Sequence, residues 1–195
     1  MNTFTYSYPV KTFFGEGAAR DNLPTLLDKY GTNVMLAYGG GSVKRVGIFE
    51  EIAEILKAAG KTVTEFGGIM PNPTYAKVQE GAALARENKI DLIIALGGGS
   101  VIDACKIISA QAKTHEDIWE LEYGKSGQPD EFIPIGAIVT AFGTGAFLLS
   151  MILHSLSDPF SHIYSLTRSS RLRSRSCPEQ LPFYIILSQI LLFYT

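Results

Sequence analysis

The sequence predicts an α/β domain in which a mostly parallel, doubly wound sheet is covered by helices on both faces. Three observations carry that expectation. Short apolar runs, among them Val34–Tyr38 and Leu92–Leu96, alternate with longer stretches of helical periodicity, the pattern of strands buried on two sides and joined by crossover helices. Two of these runs lead into the same turn, Gly39-Gly40-Gly41-Ser42 and Gly97-Gly98-Gly99-Ser100. With 46% hydrophobic residues in 195, the chain can also bury one ordinary core.

Each element follows from its own pattern. Thr3–Tyr8 alternates as a first strand does, and Phe13-Phe14-Gly15-Glu16-Gly17 reads as a turn. Ala18–Tyr30 is expected to be helical, with Gly31 as its stop. Asn33–Tyr38 is the next strand. Val46–Ala59 spaces Ile48, Phe49, Ile52, Ile55, Leu56 and Ala59 along one helical face that must pack on a sheet, and Gly60 ends it. A short strand, Thr62–Phe66, leads into the loop from Gly67 to Thr74, stiffened by Pro71 and Pro73. Tyr75–Asn88 is expected as a helix with Val78, Ala82 and Ala85 inward. Asp91–Leu96 is a buried strand, the residues through Asp103 and Lys106 form a helix, and Phe132–Val139 forms the last strand.

The two glycine turns carry the chemistry. Without a β-carbon the main chain can bend sharply and approach a ligand closely, and the free N–H groups and positive end of a following helix attract an anion. Ser100 adds a hydroxyl donor or caps the helix. Two parallel strands that each present such a turn at their carboxyl ends form the place where open α/β sheets bind ligands. Neither turn supplies the Gly-x-x-x-x-Gly-Lys-Ser/Thr of a P-loop, so nucleotide hydrolysis is disfavoured. The Gly-x-Gly-x-x-Gly fingerprint is absent too, because Ile102 stands where its third glycine would be. The residues alone thus give a phosphate-binding α/β domain of unspecified type.

Charge and cysteine content narrow the classes further. Seventeen basic residues against nineteen acidic ones, a net charge of −2, leave no footprint for a nucleic acid. Cys105 and Cys177 have no metal-type spacing, and Cys105 falls in a helical pattern as a small buried residue, which favours a reducing compartment. The first residues lack the pattern of a signal peptide, so a cytoplasmic location is expected. His115, in Lys113-Thr-His-Glu116, reads as a surface residue.

After Ala146 the chain changes character. All 19 glycines and every lysine, alanine and valine lie at or before that residue. Residues 147–195 carry instead ten serines, ten leucines, four arginines between Arg168 and Arg175, and a closing apolar run, Leu181–Thr195. That run contains Pro182 and is shorter than the roughly twenty apolar residues that span a bilayer, so no membrane span is expected. The arginine stretch could serve as a phosphorylatable basic linker, though such runs are commonly just solvated. So abrupt a loss of common residue types favours a third reading, a segment out of frame with what precedes it. The expected organisation is a domain over 1–146 and a divergent tail over 147–195. His154, Asp158 and His162 stand at helical spacing in that tail, but Pro159 would break the helix that aligned them, and no metal site is assigned.

The run Gly97-Gly98-Gly99-Ser100-Val-Ile-Asp103-Ala-Cys-Lys106, the upstream Pro71-Asn72-Pro73, the entry Phe13-Phe14-Gly15-Glu16-Gly17, and Thr140-Ala-Phe-Gly143-Thr144-Gly145 after Ile135–Val139 together resemble the iron-containing alcohol dehydrogenases, especially their butanol dehydrogenase branch. The resemblance covers residues 1 to about 146. It implies a Rossmann-like NAD(P)-binding domain followed in the family by a helical domain whose Asp and His residues hold Fe²⁺ or Zn²⁺. It implies hydride transfer between the nicotinamide and a primary alcohol or aldehyde, the metal polarising the carbonyl oxygen.

By matching position, Gly97, Gly98, Gly99 and Ser100 would hold the coenzyme pyrophosphate, and Asp103 would stand near the nicotinamide, or serve only as a first-turn carboxylate favoured by the helix dipole. Thr140 and Thr144 would line the adenine side and the phosphates, or act simply as β-formers. Asn72 would border the cleft or merely stiffen its turn. Lys106 reads more readily as a solvated helix lysine. Gly39, Gly40, Gly41 and Ser42 stand where NAD-specific members often carry an acidic residue after this strand, and with Lys44 and Arg45 nearby they favour NADP(H). The helical metal domain of the family is not matched in this chain, so an inactive coenzyme-binding portion, open to aggregation, is the expectation. The alternatives are a non-catalytic nucleotide-binding protein whose tail mediates association, or a relative of glycerol dehydrogenase or dehydroquinate synthase. A homodimer is among the expected assemblies.

Overall fold

The computed structural model describes residues 11–15, 17–123, 129, 131–140 and 190–194. At its centre runs β4 (Leu92–Gly97), every residue of which is buried. It pairs in parallel with β2 (Asn33–Tyr38) on one side and β5 (Ile135–Val139) on the other. β3 (Thr62–Phe66) continues the parallel sheet beyond β2. On the far side, β6 (Ile190–Tyr194) lies antiparallel between β5 and β1 (Lys11–Phe14), giving six strands in the order β1-β6-β5-β4-β2-β3.

The side-chain alternation of the strands builds two cores. Met35 and Ala37 of β2, Ile93 and Ala95 of β4, and Ile135 and Ala137 of β5 face one side, where α4 (Tyr75–Glu87) and α5 (Gly99–Lys113) cover them. Val34 and Leu36, Leu92, Ile94 and Leu96, and Ile138 face the other, beneath α1 (Ala18–Leu27) and α3 (Ile48–Ala58). A strand apolar on both faces has no polar alternation to display, which is why β4 reads as an unbroken run. Val78, Ala82 and Ala85 are buried as their spacing predicts, and in α3 Ile48, Ile52 and Leu56 are buried while Phe49, Ile55 and Ala59 pack partly against the same core. Where α4 crosses α5, Gly81 leaves the room: a Cβ there would come within 2.6 Å of Ile108 Cδ1 and 2.9 Å of Phe66 Cε1.

Several boundaries differ from expectation for local reasons. α1 ends at Leu27, not Tyr30, because Lys29 and Tyr30 turn back with N–H bonds to Leu26 and Leu27 carbonyls; Gly31 instead lies against the Asp91 side chain. The helix expected over Val46–Ala59 is α3, starting at Ile48, and a short helix that was not expected, α2 (Ser42–Arg45), precedes it; Gly47 at φ 79 separates the two, a left-handed backbone that a glycine adopts freely and that ends a helical run. Residues 13 and 14 are strand β1 and not part of a turn. β5 starts at Ile135, after Pro134, whose carbonyl still accepts from Ile93 N. A short helix, α6 (Ile118–Tyr123), was not expected. The strand expected at Thr3–Tyr8 lies outside the described residues.

β6 is the least anticipated element. It comes from beyond the compositional break, yet its register runs from Ile135↔Tyr194 to Val139↔Ile190 on one side and from Lys11↔Phe193 to Phe14↔Ile190 on the other. Without it the hydrogen-bonding edge of β5 would be open, a template for unwanted pairing. Proline cannot donate to a ladder and is excluded from a strand paired on both sides. Leu192→Pro is therefore expected to lower the thermal midpoint and increase concentration-dependent aggregation, measured by thermal denaturation and light scattering, whereas Leu192→Val should leave both unchanged.

Candidate functional site

Topology makes a crevice between β2 and β4. From β2 the chain leaves through α2 and α3 to the face that α3 covers, and returns as β3. From β4 it leaves through α5 to the opposite face and returns as β5. Adjacent parallel strands whose connections depart to opposite faces leave a gap at their carboxyl ends, the general ligand position of such sheets. Both glycine turns open into that gap, since Tyr38 is paired with Leu96 immediately before them.

Four glycines of the two turns are of two kinds. A Cβ on Gly97 would lie 2.8 Å from Val101 Cγ2, and one on Gly39 would lie 3.1 Å from the Ile69 carbonyl oxygen and 3.3 Å from Val101 Cγ2. These two are glycine because the protein packs against them, and the shared neighbour Val101 brings the two turns together. Gly40 and Gly41 are different: added Cβ atoms would meet nothing within 4 Å, and neither has a positive φ.

At the second turn Gly98 is the N-cap of α5, in extended backbone, and no side chain caps the helix. Its carbonyl accepts from the N–H groups of Val101 (3.1 Å) and Ile102 (3.2 Å). The first-turn N–H groups of Gly99 and Ser100 thus lie at the open positive end of a 15-residue helix with no side-chain oxygen supplied to them, an arrangement that suits an anion. Ser100 is half-buried beside them.

The remaining candidates are distributed around this gap. Thr140 follows β5 and donates its N–H to the Gly97 carbonyl at 3.0 Å, which sets it next to the second turn. Asn72 is exposed with φ 54, a left-handed conformation that Asn tolerates better than most residues. It belongs to the loop whose earlier residues Gly68 and Ile69 donate N–H bonds to the carbonyls of Gly39 (3.0 Å) and Tyr38 (3.3 Å), folding that loop over the first turn. Thr144 lies outside the described residues.

One turn into α5, Asp103 accepts a hydrogen bond from Lys106 Nζ at 2.9 Å. The lysine is not the solvated residue its helical position suggested: its side chain is 14% exposed, and burial holds its pKa below the ordinary lysine value against the raising effect of Asp103. Nothing in the local sequence signals this, because the burial comes from packing around the helix. Neighbouring Cys105 is fully buried, and desolvation pushes its thiol up to about 12, so it is an inert core residue.

A charged cluster that the sequence did not reveal borders the first turn. Glu65, near the end of β3, accepts hydrogen bonds at one carboxylate oxygen from the Tyr38 hydroxyl and from Lys44 Nζ. Lys44 Nζ also stands 4.9 Å from the ring centre of Tyr38 and 4.5 Å from that of Phe49. Bonding to Lys44, then to Tyr38, holds the Glu65 carboxyl below its usual range, and bonding to Glu65, then to Tyr38, holds Lys44 above its own. The pairing spans 21 residues of sequence.

No group of three or more His, Cys, Asp and Glu side chains that could hold a metal occurs among the described residues, so these residues do not fit Fe²⁺ or Zn²⁺. His154, Asp158 and His162 lie outside them. A cavity of about 280 Å³ lies among Gln79, Arg86, Gln111, His115 and Asp117 near the far end of α5. Its arginine is committed to the Gln111 carbonyl at 2.7 Å, and it has no part in the gap between the turns. No helix among the described residues is long and apolar enough to cross a membrane.

Comparison with known proteins bears on the family and the fold. The family described as iron-containing alcohol dehydrogenase matches residues 9–157. The NADH-dependent butanol dehydrogenase A of Clostridium acetobutylicum is 40% identical over 146 residues, covering 75% of this chain and 37% of that protein. The NADPH-dependent aldehyde reductase YqhD of Escherichia coli is 37% identical over 151 residues, with the same coverage of 75% and 37%. The crystal structure of an NADH-dependent butanol dehydrogenase A from Thermotoga maritima superposes with a TM-score of 0.68 at 33% identity, covering 74% of this chain and 36% of that one. The chain thus spans little more than a third of the length of the relatives it matches.

The two kinds of glycine should separate in stability measurements. Gly97→Val forces a methyl-bearing carbon into Val101 and is expected to cost about 2 kcal/mol, typical of overpacking. Gly40→Val, with open space around it, should change stability by less than about 0.5 kcal/mol, as surface substitutions do. Urea denaturation of both variants checks this.

Proposed function

Because the chain belongs to the iron-containing alcohol dehydrogenase family, we propose that the gap between β2 and β4 binds a nicotinamide dinucleotide, as the coenzyme half of an alcohol or aldehyde oxidoreductase of the butanol dehydrogenase type. The observation that carries this is the pairing of two glycine turns at one topological switch point, one of them heading a helix with no side-chain cap. Gly97, Gly98, Gly99 and Ser100 would hold the pyrophosphate with main-chain N–H groups. Gly39, Gly40, Gly41 and Ser42 would receive the adenosine end, Gly40 and Gly41 by leaving space. Asp103, held by Lys106, would stand toward the nicotinamide, with Thr140, Thr144 and Asn72 at the borders of the cleft. A bound coenzyme would supply the hydride for interconverting a primary alcohol and its aldehyde.

We favour NADP(H) over NAD(H). Residues Gly39–Ser42 themselves carry no carboxylate to repel a 2′-phosphate, while Ser42 offers a hydroxyl and Arg45 an exposed charge. Residues 1–146 are read as the coenzyme-binding domain, working in the cytoplasm. The 195-residue chain is expected to bind coenzyme without turning over alcohol, because the described residues offer no metal site.

Fluorescence titration of the full chain with NADPH and NADH tests this reading. Saturable binding of both is expected, tighter for NADPH, with no butanal reduction when Fe²⁺ or Zn²⁺ is added. Gly40→Val should weaken binding about tenfold, equivalent to 1.4 kcal/mol, with the fold intact. A folded chain that binds neither coenzyme would overturn the assignment, and leave a nucleotide-independent role for the domain.

A further inference from the structure

The cluster beside the first glycine turn bears on how that turn discriminates between coenzymes. Lys44 is the third residue of the four-residue α2, two residues beyond Ser42. It is held on three sides: by the Glu65 carboxylate, by the ring of Tyr38 and by that of Phe49. Tyr38 is the last residue of β2, and its ring lies over Gly67, where a Cβ would come within 2.5 Å of it. Glu65 therefore reaches the turn from the neighbouring strand, anchored by the Tyr38 hydroxyl as well as by the lysine.

We propose that Glu65 is a specificity-determining residue: by holding Lys44 it neutralises the lysine nearest in sequence to the Gly39–Ser42 turn, and so limits the preference for a 2′-phosphorylated coenzyme. This rests on the reading that a nicotinamide dinucleotide lies across the two turns.

The electrostatics follow from the geometry. Lys44 and Glu65 are close enough to cancel, and their side chains are 39% and 46% exposed, so both remain open to an approaching ligand. A dianionic 2′-phosphate arriving at the turn meets no net charge from the pair. It can take Lys44 only by leaving Glu65 as an uncompensated carboxylate nearby. A ribose carrying only hydroxyls meets no such cost. Replacing Glu65 by Gln keeps the shape and the ability to accept from Tyr38 while removing the charge. The aromatic rings still retain the ammonium group near the turn. Lys44 then becomes available to a phosphate.

The test compares wild type, Glu65→Gln and the double variant Lys44→Gln/Glu65→Gln, each as the full chain, titrated with NADPH and with NADH at low salt. Glu65→Gln is expected to raise NADPH affinity about fivefold, the size of an exposed charge interaction, with NADH affinity unchanged. The gain should vanish in the double variant, and in wild-type buffer with 0.5 M salt added, where the Debye length is only a few ångströms. Because Glu65 is exposed, loss of folding is not expected, and the thermal midpoint of each variant checks it. If both coenzymes bind but Glu65→Gln leaves their ratio unchanged, or if the gain persists without Lys44, the inference is overturned while the coenzyme site stands. If neither coenzyme binds any of the three, the functional reading falls and the inference with it.

Discussion

The constraint on which the rest of the structure depends is the handedness of parallel crossovers. A strand, helix and parallel strand in one sheet connect almost without exception in a right-handed sense. β2 is followed by β3 on one side of it, while β4, lying on its other side, is followed by β5 still further along. The two connections run in opposite directions across the sheet, so one hand of crossover sends α3 to one face and α5 to the other. The opening between β2 and β4 is a consequence of that geometry and would exist whatever residues lined it. The chain's contribution is to place its two glycine turns there.

What the sequence revealed and what it hid divide along the same line. β2, β4, α3 and both turns were legible because their causes are local: a strand buried on both faces must be apolar throughout, an amphipathic helix must repeat, and a close turn calls for glycine. The burial of Lys106 is not legible in the sequence, because a lysine's burial depends on what packs around its helix. Glu65 gave no signal at all, since a glutamate in a short half-exposed strand looks ordinary until a tyrosine and a lysine from the neighbouring segment close on it. β1 was hidden by the glycines just after it, which made Phe13 and Phe14 read as part of a turn. β6 was hidden by its context, because the compositional break before it suggested that nothing downstream would join the sheet.

β6 also shows how permissive sheet completion is compared with site construction. To fill the gap between β5 and β1, a segment needs backbone donors and acceptors, an extended conformation and no proline; Ile190–Tyr194 meets those demands. Nearly any apolar, β-prone run would. A metal centre needs three or four specific ligands in fixed geometry, a demand that composition alone rarely meets. A tail unlike the preceding residues can therefore complete a sheet without contributing to chemistry.

The glycines carry this reasoning furthest, because they can be sorted by cause. Gly97 and Gly39 are explained within the chain: a side chain on either would collide with Val101 or with the Ile69 carbonyl. Gly47 is explained by its backbone angle. Gly40 and Gly41 have neither explanation, since they carry no positive φ and face open space. Glycine brings the fold no gain there, since it adds conformational entropy to the unfolded state that folding must remove. A residue that neither the backbone nor the packing requires is best explained by something outside the fold. The nearest candidate for that cause is a ligand held close to the main chain at the switch point, where the second turn already offers uncapped N–H groups.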